Sequence, residues 1–437
     1  MATSITCALN QIKEELGSHL TPDDILDAYR RVGHVWRERV LGPVLTVQAL
    51  LLQVLHNTAM TGVSRLVGLS FSASAYCQAL QRLPLDVLRM LLRQFVTRHR
   101  DATAKVSCWH GLRVFFVDGS SCSMPDTLPL QRRFGQPTGQ KPGCGFPVAH
   151  LLVLFDAYTG MLVDVLVSSW RTHDMTGVSE LHPHLRDGDV LVADRGFCSF
   201  AHLALLLRQG IHAVIRVHGQ RRVSFKPRQH KWASCQWPHP LGPNDQITIW
   251  KKTGVPSRVM SREAYAELPD TLLVRELRYR VTQRGYRTRS VTLVTTLLDP
   301  QAYPAAELAE LYHQRWQAEV NLRHLKETLG MRVLRSKTED GAERELLAFA
   351  LVYNMICTVM TVIAIHLETT PQRVSLIDTL RLLQRGLMNL AIAAIVLNPD
   401  RPGRHQPRVV KRRPLQYTRM TKPRWQLKRK TNNNAIR

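Results

Sequence analysis

Acidic residues are scarce in this chain: 34 Asp and Glu stand against 59 Lys and Arg, a net charge of +25 over 437 residues. A surface so short of negative charge disfavours cationic partners and attracts a polyanion, of which nucleic acid is the commonest. The eight cysteines are scattered and form no C-x2-C pair. That excludes the usual structural zinc spacings, argues against a disulfide scaffold, and leaves free thiols in a reducing cytoplasm as the expectation. The opening MATSITCALNQIKEELGSH lacks the basic-then-apolar profile of a secretory signal. Long uncharged runs are rare too; residues 346–365 (LLAFALVYNMICTVMTVIAI) form one. Twenty such residues are enough to cross a bilayer. Tyr353, Asn354, Cys357, Thr358 and Thr361 inside the run favour a buried helix instead, and no membrane association is expected.

The chain is too long for one core of ordinary size, so several packed units are expected. Residues 1–105 read as helices and as a candidate DNA-binding domain. Thr21-Pro22-Asp23-Asp24 is a helix start, apolar residues recur at helical spacing over 28–60, and TGVSRLVGLS followed by FSASAYCQALQRL resembles a helix-turn-helix. From about residue 112 the pattern changes. RVFFV at 113–117, HLLVLF at 150–155, MLVDVLV at 161–167, DVLVA at 189–193 and 212–217 read as strands, with helices at 176–185 and 200–209. Alternating, turn-rich segments including RRVSF, QITIW, LLVRELRYRVTQ and SVTLVTTLL fill a β-rich insertion at 218–300. A long amphipathic helix follows at 305–329, closed by Gly330, and a helical region occupies 336–400. The tail at 401–437 carries 13 Lys or Arg and no acid. It is expected to follow a DNA backbone, with Tyr417 and Trp425 available for stacking.

Two aspartates follow apolar strands, Asp118 in FFVDGSS and Asp194 in LVADRGF. In open α/β sheets ligands gather beyond the carboxyl ends of strands. Two carboxylates meeting there repel one another and call for a cation. The helix at 305–329 supplies a third acid. At about 100° per residue, Tyr312, Arg315, Trp316, Glu319, Arg323 and Lys326 fall within an arc of roughly 100°. Leu311, Ala318, Leu322, Leu325 and Leu329 form the adjoining apolar stripe. Ion pairs on a solvated face would account for the charges. They would not account for two aromatic residues on that stripe, nor for several cations around one acid.

Tyr312-x2-Arg315-x3-Glu319-x6-Lys326 resembles the Y-R-E-K signature of the bacterial insertion-sequence family-four transposases, within the DDE superfamily, and both Asp motifs resemble that family's other two catalytic motifs. The likeness spans roughly residues 110–335. It implies a ribonuclease-H-like mixed α/β core at 106–217 and 301–335, interrupted by the β-rich insertion. It further implies that Asp118, Asp194 and Glu319 hold two Mg²⁺ ions, with Mn²⁺ able to substitute. Tyr312, Arg315, Trp316, Arg323 and Lys326 would contact DNA. The implied partners are terminal inverted repeats and target duplex, bound by a homodimer on paired ends at the bacterial nucleoid. The implied reaction is cut-and-paste transposition, with or without a DNA hairpin. The best-known member of that family also drives a tryptophan from its β insertion into the duplex as a wedge. Here Trp232, Trp237 and Trp250 stand at unmatched positions, which leaves the hairpin step open. A related ribonuclease-H-fold nuclease and an inactive, transposase-derived DNA-binding protein are the rival readings.

Overall fold

The computed structural model describes residues 20–37, 39–103, 108–226, 235–254, 260–281, 290–385, 397–398, 420–424 and 426–427. Tyr417, Trp425, Trp232 and most of the basic tail lie outside the described residues, as does the side chain of Trp237.

The chain begins with helices α1 (Pro22–Arg31), α2 (Pro43–Leu55), α3 (Val63–Val67), α4 (Ala73–Arg82) and α5 (Leu85–Ala102). Thr21 closes a capping box on α1: its hydroxyl accepts the Asp24 N–H, and the Asp24 carboxylate accepts the Thr21 N–H. The apolar periodicity over 28–60 does not produce one helix. Gly33 takes a positive φ of 68° just after α1, and Gly42-Pro43 starts a new helix after an extended link. The two short helices expected near 61–83 are α3 and α4, separated by Gly68 at φ 71°.

The first sheet-forming elements follow as β1 (Val114–Ser123), α6 (Leu128–Phe134), β2 (Val148–Asp156), β3 (Leu162–Ser169), α7 (Asp174–Gly177), β4 (Val190–Ala193), α8 (Phe200–Arg208) and β5 (His212–Arg216). Next come β6 (Cys235–Gly242), β7 (Asp245–Lys251), α9 (Arg262–Ala266), β8 (Thr271–Arg280) and β9 (Ser290–Thr295). The helix expected at 176–185 is in fact α7 followed by a 3-10 segment, Val178–His184, with Pro183 inside it. RRVSF is irregular, not a strand.

Among the described residues nine strands join one sheet in the order β3-β2-β1-β4-β5-β9-β8-β7-β6. β1, β4 and β5 run parallel, and every other neighbouring pair is antiparallel. The first five strands give the mixed α/β, ribonuclease-H-like core. The strands of the 218–300 stretch do not stand apart from it, because β9 hydrogen-bonds to β5 through Val214, Ile215 and Arg216.

Both faces of the central strands are covered, as their unbroken apolar runs require. One face, carrying Phe116, Val192 and Val214, packs against Leu308, Leu311, Leu322 and the long helix Glu339–His366; the other, carrying Phe115, Leu191 and Ile215, packs against α8. The helical run at 305–329 consists of α10 (Ala305–Gln314), α11 (Trp316–Arg323) and a π turn (His324–Thr328), ended by Gly330 at φ 89°. α12 (Glu339–His366) is the long apolar helix, and α13 (Leu376–Arg385) packs on it. α12 is long and apolar enough to cross a membrane, yet 94% of its most apolar stretch is buried within the fold. Its polar residues are satisfied inside the core: Asn354 accepts the Leu162 N–H and donates to the Leu162 carbonyl at 2.8 Å each, and Thr358 and Thr361 donate to carbonyls one turn back.

Candidate active site

Strand register creates the site. β1 and β4 pair in parallel as far as Val117 opposite Ala193, and β4 and β5 as far as Ala193 opposite Ile215. One residue further along each strand come Asp118, Asp194 and Arg216, in a row. Side chains alternate along a strand, so all three share the face of Phe116, Val192 and Val214, the face on which α10 and α11 lie. Asp118 is therefore not beyond a strand end. β1 continues through Ser123 against β2, while β4 stops at Ala193 and turns into a single 3-10 turn, Arg195–Phe197. The gap left beside Asp118 is where the parallel ladder ends.

Gly119 is likewise a strand residue and not a turn. Its N–H donates to Asp118 Oδ1 at 2.9 Å. A Cβ there would meet Asp174 Oδ1 at 2.8 Å. The missing side chain lets the Asp174–His150 pair, joined at 2.6 Å, lie directly behind Asp118 on the other face of the sheet.

The helical run brings the remaining groups over this row. Tyr312 donates its hydroxyl proton to Asp194 Oδ1 at 3.0 Å. Arg315 Nη2 donates to Glu319 Oε1 at 2.8 Å, while Nη1 lies 3.6 Å from Asp118 Oδ2. Lys326 Nζ reaches Ser120 Oγ, two residues along β1 from Asp118, at 3.3 Å. A uniform helix does not describe this arrangement. At Arg315 the backbone tightens: its N–H bonds to the Tyr312 carbonyl and its own carbonyl takes the Ala318 N–H, both three residues apart. Lys326 sits in the wider π turn, an irregularity frequent at functional sites.

Expected and observed exposures differ at one position. Tyr312 is buried, its hydroxyl spent on Asp194, whereas Trp316 is 53% exposed. The apolar stripe of Leu311, Ala318, Leu322, Leu325 and Leu329 is buried as expected. Arg323 is not brought to the acids; it lines a separate cleft of about 320 Å³ shared with Gln317, His324 and Gln372. Trp250 is fully buried, with Nε1 donating to Glu276.

Charge at the site is finely set. Burial pushes the Asp118 carboxyl up to about 6, and the neighbouring Glu319 and Asp194 add to the rise, against Arg315 and the Gly119 N–H. Burial likewise raises the Tyr312 phenol, with Asp194 reinforcing it, so the hydroxyl stays a proton donor. Burial disfavours the Arg315 guanidinium, but Tyr312, Asp118 and Glu319 outweigh it and hold the charge.

The donor set fits a hard divalent cation: carboxylate oxygens only, one of them driven toward protonation by burial beside two other acids. As they stand, the acids are not closed into a ligand cluster. Among the described residues no three His, Cys, Asp or Glu side chains converge closely enough to hold a metal ion. Arg315, bridging toward Asp118 and Glu319, supplies the counter-charge instead.

A protein-family profile described as "Transposase DDE domain" matches residues 109–355, more than half of the chain. The chain belongs to the DDE transposase family. All three acids of this transposase lie inside the matched segment. Escherichia coli K12 supplies two similar proteins. "Transposase InsG for insertion sequence element IS4" is 24% identical over 363 residues, covering 79% of this chain and 77% of that protein. "Putative transposase InsZ" is 25% identical over 167 residues, 36% of this chain and 56% of that protein. A cryo-EM structure of the piggyBac transposase synaptic complex with hairpin DNA covers 90% of this chain and 81% of its own, with a TM-score of 0.44 and 10% identity.

Arg216 was invisible to motif reading. A lone arginine ending HAVIR carries no signal; only the register between β4 and β5 shows that it stands beside Asp194. Its charge also acts on Tyr312.

Proposed function

We propose that this transposase cuts the ends of an insertion sequence and joins the freed 3′-hydroxyl to target DNA, with Asp118, Asp194 and Glu319 as its catalytic carboxylates. The observation carrying the proposal is the convergence of β1, β4 and α11 on a partly buried acidic site overlaid by Tyr312, Arg315 and Lys326. The three acids would hold two Mg²⁺ ions, or Mn²⁺, which when bound activate the attacking oxygen and stabilise the leaving one. The protein's own part is positioning and charge. Tyr312 pins one oxygen of Asp194 and so orients the other. The Arg315 guanidinium, which now leans on Asp118 and Glu319, has the planar pair of N–H donors that would suit it to grip a phosphate. Lys326 and Arg216 add positive charge on either side.

Each chemical step exchanges one phosphodiester oxygen for another, so no nucleotide triphosphate is required. Water attacks phosphorus at the element's end and displaces the 3′-oxygen, which leaves as a 3′-hydroxyl. That hydroxyl then attacks a target phosphorus and displaces a target 3′-oxygen, its proton passing to solvent. The exposed ring of Trp316, next to Arg315, is suited to stack an extruded base in a hairpin route. The protein acts as a homodimer on two paired ends. Incubation with the element's own end DNA tests this reading. Products ending in 3′-hydroxyl groups, formed with Mg²⁺ and not with EDTA, are expected; a hairpin species would be weakened by Trp316→Ala. Binding with no cleavage under any metal condition would point to an inactive derivative.

The N-terminal helices, residues 1–105, provide a second DNA contact. Between α1 and α2, Trp36 packs edge-on against Tyr29 beside a cleft of about 200 Å³ lined by Arg37, Arg39 and Arg82. None of these arginines has an ion-pair or hydrogen-bond partner among the described residues. Such groups are free to replace counterions on a DNA backbone. Changing all three to Gln is expected to reduce the slope of log K against log salt by about 2.7, at about 0.9 per phosphate contact. Fluorescence anisotropy on end duplex measures it; an unchanged slope would remove this surface from the interface.

A further inference from the structure

Behind the loop that follows Asp194 lies a pair of buried histidines that the chemistry above does not use. His202, on α8, and His182, on the 3-10 segment Val178–His184, are at most 1% exposed. Their ring planes are nearly parallel, 12° apart, with centroids 5.1 Å apart, and Nε2 faces Nε2 at 3.1 Å. The remaining ring nitrogen of His202, Nδ1, lies 2.7 Å from the Phe197 carbonyl.

These contacts dictate the protons. A carbonyl only accepts, so His202 Nδ1 carries the hydrogen. In a neutral ring Nε2 is then a lone pair, and the hydrogen between the two rings belongs to His182 Nε2. His182 Nδ1 is left as a lone pair, and it is buried without a partner. Adding a proton to either ring spoils the arrangement: on His202 it would set two N–H groups head to head, and on His182 it would create a buried donor facing no acceptor. Burial accordingly holds His182 down to about 3 and His202 to about 4, so both rings are neutral at ordinary pH.

The carbonyl they grip belongs to the Asp194 turn. Phe197 N–H bonds back to the Asp194 carbonyl at 3.0 Å, closing the turn. Ser199 then caps α8 by accepting the His202 N–H at 3.1 Å. His202 thus holds the far end of the turn by backbone and side chain together, and its partner His182 keeps the correct tautomer. Tyr312 holds Asp194 from the other side.

We infer that His202, with its tautomer set by His182, is a positioning residue that fixes the Asp194 turn for cation capture and strand cleavage. The inference rests on Asp194 being a catalytic carboxylate. Asn, whose Nδ2 occupies the place of the imidazole Nδ1, can replace the bond to the Phe197 carbonyl; Gln reaches the Nε2 position instead, and Leu makes neither bond.

The test compares His202→Leu, His202→Asn and His202→Gln with wild type and Asp194→Asn in single-turnover cleavage of end DNA. Rate, Mg²⁺ half-saturation, duplex affinity and melting temperature are read for each. His202→Leu is expected to cleave about 10–100-fold more slowly and to need about 10–100-fold more Mg²⁺, the usual scale for groups that orient a metal ligand. Duplex affinity should stay within about twofold, and His202→Asn should recover most of the loss while His202→Gln does not. Should His202→Leu fail to fold, the Asn and Gln pair decides alone. Wild-type rate and metal demand in His202→Gln, or equal losses in Asn and Gln that track melting temperature, would overturn the inference. Full activity in Asp194→Asn would overturn the underlying site instead.

Discussion

Asp118→Asn is expected to abolish cleavage and yet to make the metal-free protein more stable at pH 8. The reason is the burial of an acid among acids. Asp118 rises from an ordinary 3.8 to about 6 because its charged form is desolvated beside Glu319 and Asp194. A group whose folded pKa is raised favours the folded state below its unfolded value, and that contribution is lost as pH rises from about 4 through about 6. At 1.36 kcal/mol per pH unit, the deficit at neutral pH is on the order of 3 kcal/mol. Denaturation in EDTA should show the Asn protein more stable than wild type at pH 8 and level with it near pH 4. Magnesium should close the gap from the wild-type side alone, since only the intact site gains from binding a cation. Equal stability at pH 8 would mean that Arg315 already neutralises the site.

The second large effect concerns the join between the N-terminal helices and the sheet. Arg100, at the end of α5, donates to Asp189 just before β4 and to the His184 carbonyl, and its guanidinium lies 5.1 Å from the Phe115 ring centroid. Arg113 donates to the Arg100 carbonyl and to Asp156 at 2.7 and 2.6 Å. Arg100 and Asp189 are both buried. Removing one charge strands the other in a dry interior, so Arg100→Ala is expected to destabilise by about 3–5 kcal/mol. The double change Arg100→Met with Asp189→Leu should recover most of that. Urea denaturation of the three proteins checks it; a single variant within about 1 kcal/mol of wild type would show that water reaches the pair.

Much of this was legible before any coordinates, and the failures have physical causes. The capping box at Thr21, the hairpin around 156–160 and the apolar face of the 305–329 helix were visible because they depend on local chemistry or on a regular period. The three acids could be proposed because four residues at fixed spacing resemble a family signature, and the chain does belong to the broader DDE transposase family. What spacing does not carry is register. Asp118 was expected just past the end of an apolar strand, whereas β2 keeps β1 extended for six residues past Val117. Tyr312 was placed on an exposed stripe because a helical wheel assumes an even 100° step. The tightened turn at Arg315 and the partner hydroxyl contact at Asp194 put the ring inside. Arg216 and the two histidines come from segments distant in sequence, and only the folded sheet brings them to Asp194.

The most direct measurement is strand cleavage and joining on the element's own end DNA by wild type, Asp194→Asn and Glu319→Ala, each folded and each bound to the duplex. Wild type should form 3′-hydroxyl ends and joined products in Mg²⁺, and both variants should fall by about 10³-fold or more while duplex binding persists. Cleavage at wild-type rates by either variant would contradict the assignment of that carboxylate and, with it, the proposed chemistry.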